Sequence, residues 1–413
     1  MEYRDLATLY HMDSSASRDK HAAELLEQRL TSPSTFDLNI TLGDNALFVA
    51  VPRELSALNQ RVLERERKIT KLMQALPGLA GSEVLRSLVI DEVVMSNNIE
   101  NIHSTRAQIE HALSLSDAER PQIKRFREFA KLYIELSYGN YSRPETVEDI
   151  RTIYDKIMAD EHIEYPPDGK LFRKDSVSVS NGLKAVHQGI TAESEIIKSL
   201  NAMLKLVDSQ EIPELYSALA SHFIFEYIHP FYDGNGRLGR YLLSLFLERP
   251  LSKPTALSLS RVIAENRNVY YHAFQIAEDP LNHGELTFFV MSMHELILKA
   301  QNELIDRLEK NVSSLDELRE TAGIISQSGK FTDKEIEIIY LLAQQAVFGI
   351  NPDVSLDALA LAVDRGTQQT RKYLAALEKR HVIRKMRGRD PITFALEPSF
   401  LEESLCVTNS VPV

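Results

Sequence analysis

From about residue 83 to about 300 the apolar residues recur at spacings of three and four, a period that few architectures satisfy. Leu132 and Leu136, then Ile150, Ile153, Tyr154 and Ile157, then Leu215, Leu219 and Phe223, and finally Leu238, Tyr241, Leu242 and Leu245 each line one side of a helix. The spacing predicts an all-helical body. One stretch breaks the period: "KLFRKDSVSVSNG" alternates every second residue and closes on Asn-Gly, so a short extended element is expected at about 171–180.

The flanks read differently. Residues 1–82 are a mixed start, in which "FDLNITLGDNALFVAVP" shows two alternating runs around Gly-Asp-Asn, the pattern of a hairpin, followed by a helix from about 55. The organisation expected from there is a helical region over 83–140, a core over 141–300, a linker helix over 301–330 and a separate module over 331–413. In that module "TDKEIEIIYLLAQQA" opens with Thr332 and Glu335 in capping-box spacing, "SLDALALAV" has Ser355 in cap position, and "GTQQTRKYLAALEKR" makes a third helix. "HVIRKMRGRDPITFAL" then alternates around Gly-Arg-Asp-Pro as a wing hairpin would, and the whole resembles a winged helix-turn-helix whose third helix carries Arg371 and Lys372.

Composition excludes several function classes. The 413 residues suffice for two or three domains at ~100–200 residues each, and 44% hydrophobic with 26% charged residues is a globular balance. A net charge of −12 argues against an electrostatic nucleic-acid binder as a whole. Residues 365–389, however, hold nine basic residues and one acid. That face is a candidate DNA contact, or else a solvated face on a packing or homodimerisation module. Cys406 is the single cysteine, so no intramolecular disulfide or cysteine-rich zinc site is expected. "MEYRDLATLY" has no apolar core of a secretory signal, and no apolar run reaches the ~18 residues of a membrane span. The expected home is the cytoplasm, with no membrane partner.

"HPFYDGNGRLGR", residues 229–240, concentrates chemistry. An amphipathic helix, "ELYSALASHFIFEYI", is expected to end at His229 because Pro230 disfavours α geometry there. Another helix, "GRLGRYLLSLFLER", follows, so Asp-Gly-Asn-Gly is a tight loop feeding a helix N-terminus, where free N–H groups and the helix dipole favour an anion. Gly234 and Gly236 allow close backbone approach, Asn235 offers an amide donor, and Asp233 is a hard oxygen ligand suited to Mg²⁺. Arg237 and Arg240, three apart, can pair with phosphate oxygens. His229 can accept a proton from a hydroxyl. Each of these residues has an ordinary structural role when met alone; together they describe a polyphosphate site.

The stretch resembles the signature of Fic-domain proteins, His-Pro-Phe-x-Asp-Gly-Asn-Gly-Arg-x-x-Arg, at every specified position. The resemblance implies a mainly α fold, a helical Fic core with a short β-hairpin flap. It also implies a Mg²⁺-dependent adenylyltransferase that moves AMP from ATP to a Ser, Thr or Tyr hydroxyl of a protein target, itself included. It would make His229 the base, Asp233 the Mg²⁺ ligand, and Gly234, Asn235 and Gly236 the anion hole. Arg237 and Arg240 would hold phosphates, with Leu238 and Gly239 between them in the nucleotide-binding run. A kinase-like branch replaces the second loop glycine, so Gly236 favours nucleotidyl transfer. "LFRKDSVSVS" resembles the flap, with Val177, Ser178, Val179 and Ser180 over nucleotide and target. "NRNVYYHAFQIAED" resembles the following helix, whose Tyr270 and Tyr271 would contact adenosine and whose Glu278 stands at an adenine position. Without the family, a Tyr-Tyr pair on a helix is usually core.

"SNNIEN", residues 96–101, resembles the family's inhibitory pattern Ser/Thr-x-x-x-Glu-Gly/Asn through Ser96, Glu100 and Asn101. Leu85, Val89, Val93, Ser96 and Glu100 share one helical face, which would aim Glu100 inward at the helix end. In the family this glutamate pairs with the second arginine, here Arg240, and denies it to the γ-phosphate; some relatives use it to remove AMP. The rival expectation is a DNA-binding regulator whose core only senses nucleotide, and an intact His229 argues for the enzyme.

Overall fold

A computed structural model describes residues 3–114, 126–159, 161, 163–180, 185–387 and 391–400. Cys406, Arg389 and the Asn-Gly pair at 181–182 lie outside the described residues. In chain order the elements are α1 (Leu6–Met12), α2 (Arg18–Leu30), β1 (Thr35–Leu42), β2 (Asn45–Ala50), α3 (Arg53–Gln74), α4 (Leu79–Ile99), α5 (Arg106–Ser114), α6 (Arg127–Tyr138) and α7 (Val147–Met158). Then come β3 (Ser178–Ser180), β4 (Ala185–Gln188), α8 (Glu193–Val207), α9 (Glu214–Ile228), α10 (Asn235–Leu247), α11 (Lys253–Ala256), α12 (Leu259–Glu265), α13 (Arg267–Glu278) and α14 (Thr287–Gln327). The last are α15 (Asp333–Phe348), β5 (Val354–Ser355), α16 (Leu356–Ala362), α17 (Thr367–Lys379), β6 (Ile383–Arg387) and β7 (Thr393–Leu396). The fold is mainly α, with small β hairpins.

Contacts divide the chain into one unit of residues 1–69 with 88–304 and a second of 70–87 with 305–413. In the first unit, α9 packs against α8 on one side and α10 on another. The sequence suggests an amphipathic α9, but the helix is buried all round: Leu215 to Phe225 are all inaccessible. The reason is its central position, since a helix covered by neighbours on every side has no polar face to show. Strands β1 and β2 form the expected antiparallel hairpin, turning at Gly43 with φ 58 and burying Leu38, Ile40 and Leu42. Ala50 N–H donates to Thr287 Oγ1 at 2.9 Å, which fastens this hairpin to the start of α14. Helix α7 starts from a capping box between Thr146 and Asp149. The extended element is shorter than the alternation suggests, because β3 begins at Ser178 and residues 171–177 follow bends.

The second unit has its own core of Leu318, Ile338, Leu342, Leu359, Leu374, Leu377 and Phe394. Thr332 and Glu335 cap α15 reciprocally and Ser355 caps α16. A three-stranded sheet of order β5-β7-β6 closes it, with β6 and β7 antiparallel.

Candidate active site

Helix α9 ends at His229, which adopts a left-handed conformation, φ 51 and ψ 63, rather than the extended one that a following proline favours. The reversal turns the chain sharply into the loop 230–234. His229 Nδ1 lies 3.2 Å from Glu226 O. With that carbonyl as acceptor, Nδ1 carries the proton and Nε2 keeps its lone pair, the tautomer a base requires. Phe231 beneath the loop stacks on Tyr154 of α7 with ring centroids 3.6 Å apart.

Gly234, φ 79, is the N-cap of α10, and a Cβ there would lie 2.7 Å from Met158 Sδ. Asp233 is exposed at the loop's apex, where Oδ1 accepts from Gly234 N–H at 2.6 Å. Among the described residues no group of three metal-ligating side chains exists. A solitary carboxylate is still a fitting donor for Mg²⁺, which is commonly held by one or two carboxylates plus substrate phosphates.

Four expectations for the motif need correction. Asn235 is buried, and its amide is spent on the loop: Oδ1 accepts from Phe231 N–H at 2.9 Å and Nδ2 donates to Phe231 O at 2.8 Å. It braces the turn instead of offering a side-chain donor. Arg237 is fully buried and clamped on Glu161, with Nη1 at 2.5 Å and Nη2 at 3.1 Å from its oxygens, because a buried cation needs a counter-charge. Leu238 is a core residue. Gly239 is required by packing, since a Cβ there would sit 2.1 Å from Glu226 Oε1.

Arg240 is also buried, but it faces "SNNIEN". Nη2 lies 2.8 Å from Glu100 Oε1, Nε donates to Ser96 Oγ at 3.0 Å, and Nη2 donates to Ser96 O at 2.8 Å. Burial opposes its charge, yet Glu100, Tyr270 and Glu226 outweigh that and raise its pKa. The Glu100 carboxylate also covers the start of α10: a Cβ at Gly236 would fall 2.0 Å from Oε1. An anionic oxygen thus rests on a bare glycine at a helix N-terminus beside an arginine. That is the environment a phosphate oxygen would seek.

The end of α4 holds this carboxylate by local geometry. Asn101, φ 59, is the left-handed residue after the helix; its N–H donates to Asn98 O at 3.0 Å and Ile102 N–H to Asn97 O at 2.9 Å. This is a Schellman cap, which favours Gly or Asn at the left-handed position and so explains why either suits it. Arg267 of α13 donates to Asn98 O at 2.6 Å and to its Oδ1 at 2.8 Å. Val89, Val93 and Ser96 are buried as the periodicity suggests, and so are Ile90, Glu92 and Asn97 on other faces.

The tyrosine pair divides. Tyr270 is core, its hydroxyl 2.7 Å from His222 Nε2, which corrects its assignment to adenosine; Tyr271 is half-buried and keeps exposed ring surface. Burial pushes Glu278 up to about 7. In the hairpin, β3 and β4 pair antiparallel, with Val179 opposite His187. The side chains of Ser178, Val179 and Ser180 lie outside the described residues, whereas Val177 is half-buried at its base.

Three groups here escape sequence reasoning. Glu161 reaches Arg237 across 76 residues of chain. Arg173 is a fully buried cation beneath the hairpin. Glu226 lies with Oε2 3.8 Å from His229 Nδ1, and its Oε1 lacks a hydrogen-bond partner among the described residues. Burial pushes Glu226 up to about 8, with Arg240 offsetting part of that rise. Its place three residues before His229 was the available signal.

The Fic/DOC family model matches residues 144–247, from just before α7 to the end of α10. The protein adenylyltransferase Fic of Nematostella vectensis is 25% identical over 250 residues, which cover 58% of this chain and 55% of that one. The protein of the same name from Drosophila erecta is 25% identical over 210 residues, 49% of this chain and 38% of that one. The chain thus spans about half or less of the length of these curated relatives. Among solved structures, a Fic family protein from Desulfovibrio desulfuricans superposes with a TM-score of 0.48 at 19% identity, over 82% of this chain and 96% of that one. No helix among the described residues is long and apolar enough to cross a membrane.

Proposed function

We propose that this chain is an autoinhibited protein adenylyltransferase that moves AMP from ATP to a hydroxyl of a protein target or of itself. The observation that carries the reading is the Glu100 carboxylate resting on both Arg240 and Gly236, in the place of a phosphate oxygen. ATP supplies an electrophilic α-phosphorus and, with Mg²⁺, a pyrophosphate leaving group. His229 Nε2 takes the proton of the incoming hydroxyl as its oxygen bonds to the α-phosphorus and the bond to the bridging oxygen breaks. The first-turn N–H groups of α10 have no intrahelical acceptors and can receive phosphate oxygens; Asp233 would hold the metal. Arg240, once released, would take the γ-phosphate, and that placement sets the line of attack. Arg237 acts through Glu161 to fix the start of α10, and Tyr271 is the member of its pair with surface for adenosine. ATP labelled at the α-phosphate should leave covalent label on protein in a lysate, and ATP labelled at the γ-phosphate none. Label from the γ-position alone would make the reaction phosphoryl transfer.

The second unit supports a further reading as a winged helix. Arg371 and Lys372 on α17 and Arg384, Lys385 and Arg387 on β6 are all exposed. Arg380 is different, since it stacks on Phe331 at 3.8 Å and lies 3.9 Å from Glu335. If the free basic face meets DNA phosphates, retention on a nonspecific duplex should fall steeply with salt. Arg371→Ala with Lys372→Ala should then flatten the logarithmic slope by about 2 × 0.9. No retention at low salt leaves packing or self-association as the role of this face.

A further inference from the structure

The carbonyl of Ile228, the last residue of α9, and those of His229 and Pro230 just beyond it are bound by the two legs of the β3–β4 hairpin. On the incoming leg, Arg173 donates from Nε to His229 O at 2.7 Å, from Nη2 to Ile228 O at 3.1 Å, and from its backbone N–H to Pro230 O at 3.2 Å. Its Nη1 donates to Asp175 O on the hairpin's own approach. On the outgoing leg, Ile190 N–H donates to Ile228 O at 3.3 Å, and Gly189 N–H donates to Val177 O at 2.9 Å, which ties the legs together. Gly189 makes this closeness feasible: a Cβ there would lie 2.6 Å from Arg173 Nη2 and 3.1 Å from His229 Cβ.

Arg173 is fully buried, and among the described residues no carboxylate pairs with it. A buried guanidinium satisfied by carbonyls alone is a costly choice that a neutral side chain would avoid. Its fork has a geometric return, because three donors fix three backbone oxygens at once and the charge suits a helix C-terminus. Two of those oxygens belong to Ile228, the last residue of α9, and to His229, whose left-handed backbone needs outside support to stay so.

We propose that Arg173 is a positioning residue that locks the hairpin to the His229 backbone, so that a target strand docked on the hairpin presents its hydroxyl at a fixed distance from His229 Nε2. This rests on reading the hairpin as the docking edge and His229 as the base. Strand addition fixes a peptide through backbone hydrogen bonds, and its register carries to the base only if hairpin and histidine move together. Arg173 supplies that rigidity through its contacts with His229 O and Asp175 O.

The test uses the full chain carrying Glu100→Gly, with a labelled target protein or, where none is identified, self-modification. Arg173→Lys keeps the charge but cannot span three carbonyls. We expect its kcat to fall roughly 10- to 100-fold, as for a misplacement near 1 Å, while ATP affinity stays within about threefold of the parent's. Arg173→Ala should fall at least as far, and millimolar guanidinium ion should restore part of its kcat. If Arg173→Ala does not fold, Arg173→Lys decides alone. Unchanged kcat in Arg173→Lys overturns the proposal, as does an ATP affinity that falls in step with kcat. A parent that transfers no label at all overturns the adenylyltransferase reading beneath it, and with it the proposal.

Discussion

His229→Ala should abolish detectable AMP transfer while leaving nucleotide binding within about threefold of the parent's. General-base catalysis is commonly worth ~10²–10⁴-fold, which is the loss expected in kcat. The binding apparatus does not depend on this side chain: the α10 N-terminus, Asp233 and Arg240 are positioned by Gly234, by Asn235 bonded to Phe231, and by Ser96. The imidazole's hydrogen bond to Glu226 O is not one of the bonds between Phe231 and Asn235 that hold the loop, and those remain when it is removed. Mass spectrometry of the incubated protein, alongside a nucleotide-binding isotherm, separates the two effects. Undiminished AMP addition by His229→Ala would remove it from the base's role, and a parallel collapse of ATP binding would make it a structural residue.

The parts legible in the sequence were those whose causes are local. The loop at 230–234 declares itself through Pro230, Gly234 and Gly236, and the end of α4 through Asn101, whose left-handed φ of 59 is the condition for the cap that aims Glu100. The caps at Thr332 and Ser355 are equally local, each side chain bonding three residues on. Burial was harder to read. Leu215, Leu219 and Phe223 suit one face of a helix, but a central helix has the same spacing and adds Ala218, Ser221 and His222 on the others, which is how α9 came to look amphipathic. The amide of Asn235 was misjudged because donors seek the nearest acceptor, and Phe231 O lies four residues back. Glu161 and Arg173 carry no local signature at all. Their partners lie 76 and 56 residues away, and only the folded chain brings them together.

Glu100→Gly should raise AMP transfer, self-modification included, by roughly ten- to a thousandfold. The substitution removes the carboxylate 2.8 Å from Arg240 Nη2 and uncovers Gly236, and it leaves His229, Asp233 and the loop untouched. Releasing a competing pair worth about 1.4–4 kcal/mol shifts the productive population by that factor, at tenfold per 1.4 kcal/mol. Glu100 keeps 34% of its side chain exposed, and water screens the pair, so the lower half of the range is expected. Folding should survive. Arg240 retains Ser96 Oγ and Ser96 O as acceptors, so the cation is not left without partners. A glycine at the last turn of α4 costs ~1 kcal/mol or less of helix propensity. Glu100→Gly with Arg240→Ala should lose most of the gain, since the cation that the carboxylate withheld is then missing. If Glu100→Gly labels no faster than the parent at saturating ATP and Mg²⁺, the contact between Glu100 and Arg240 is a structural ion pair at a helix end, and the phosphate-mimic reading fails with it.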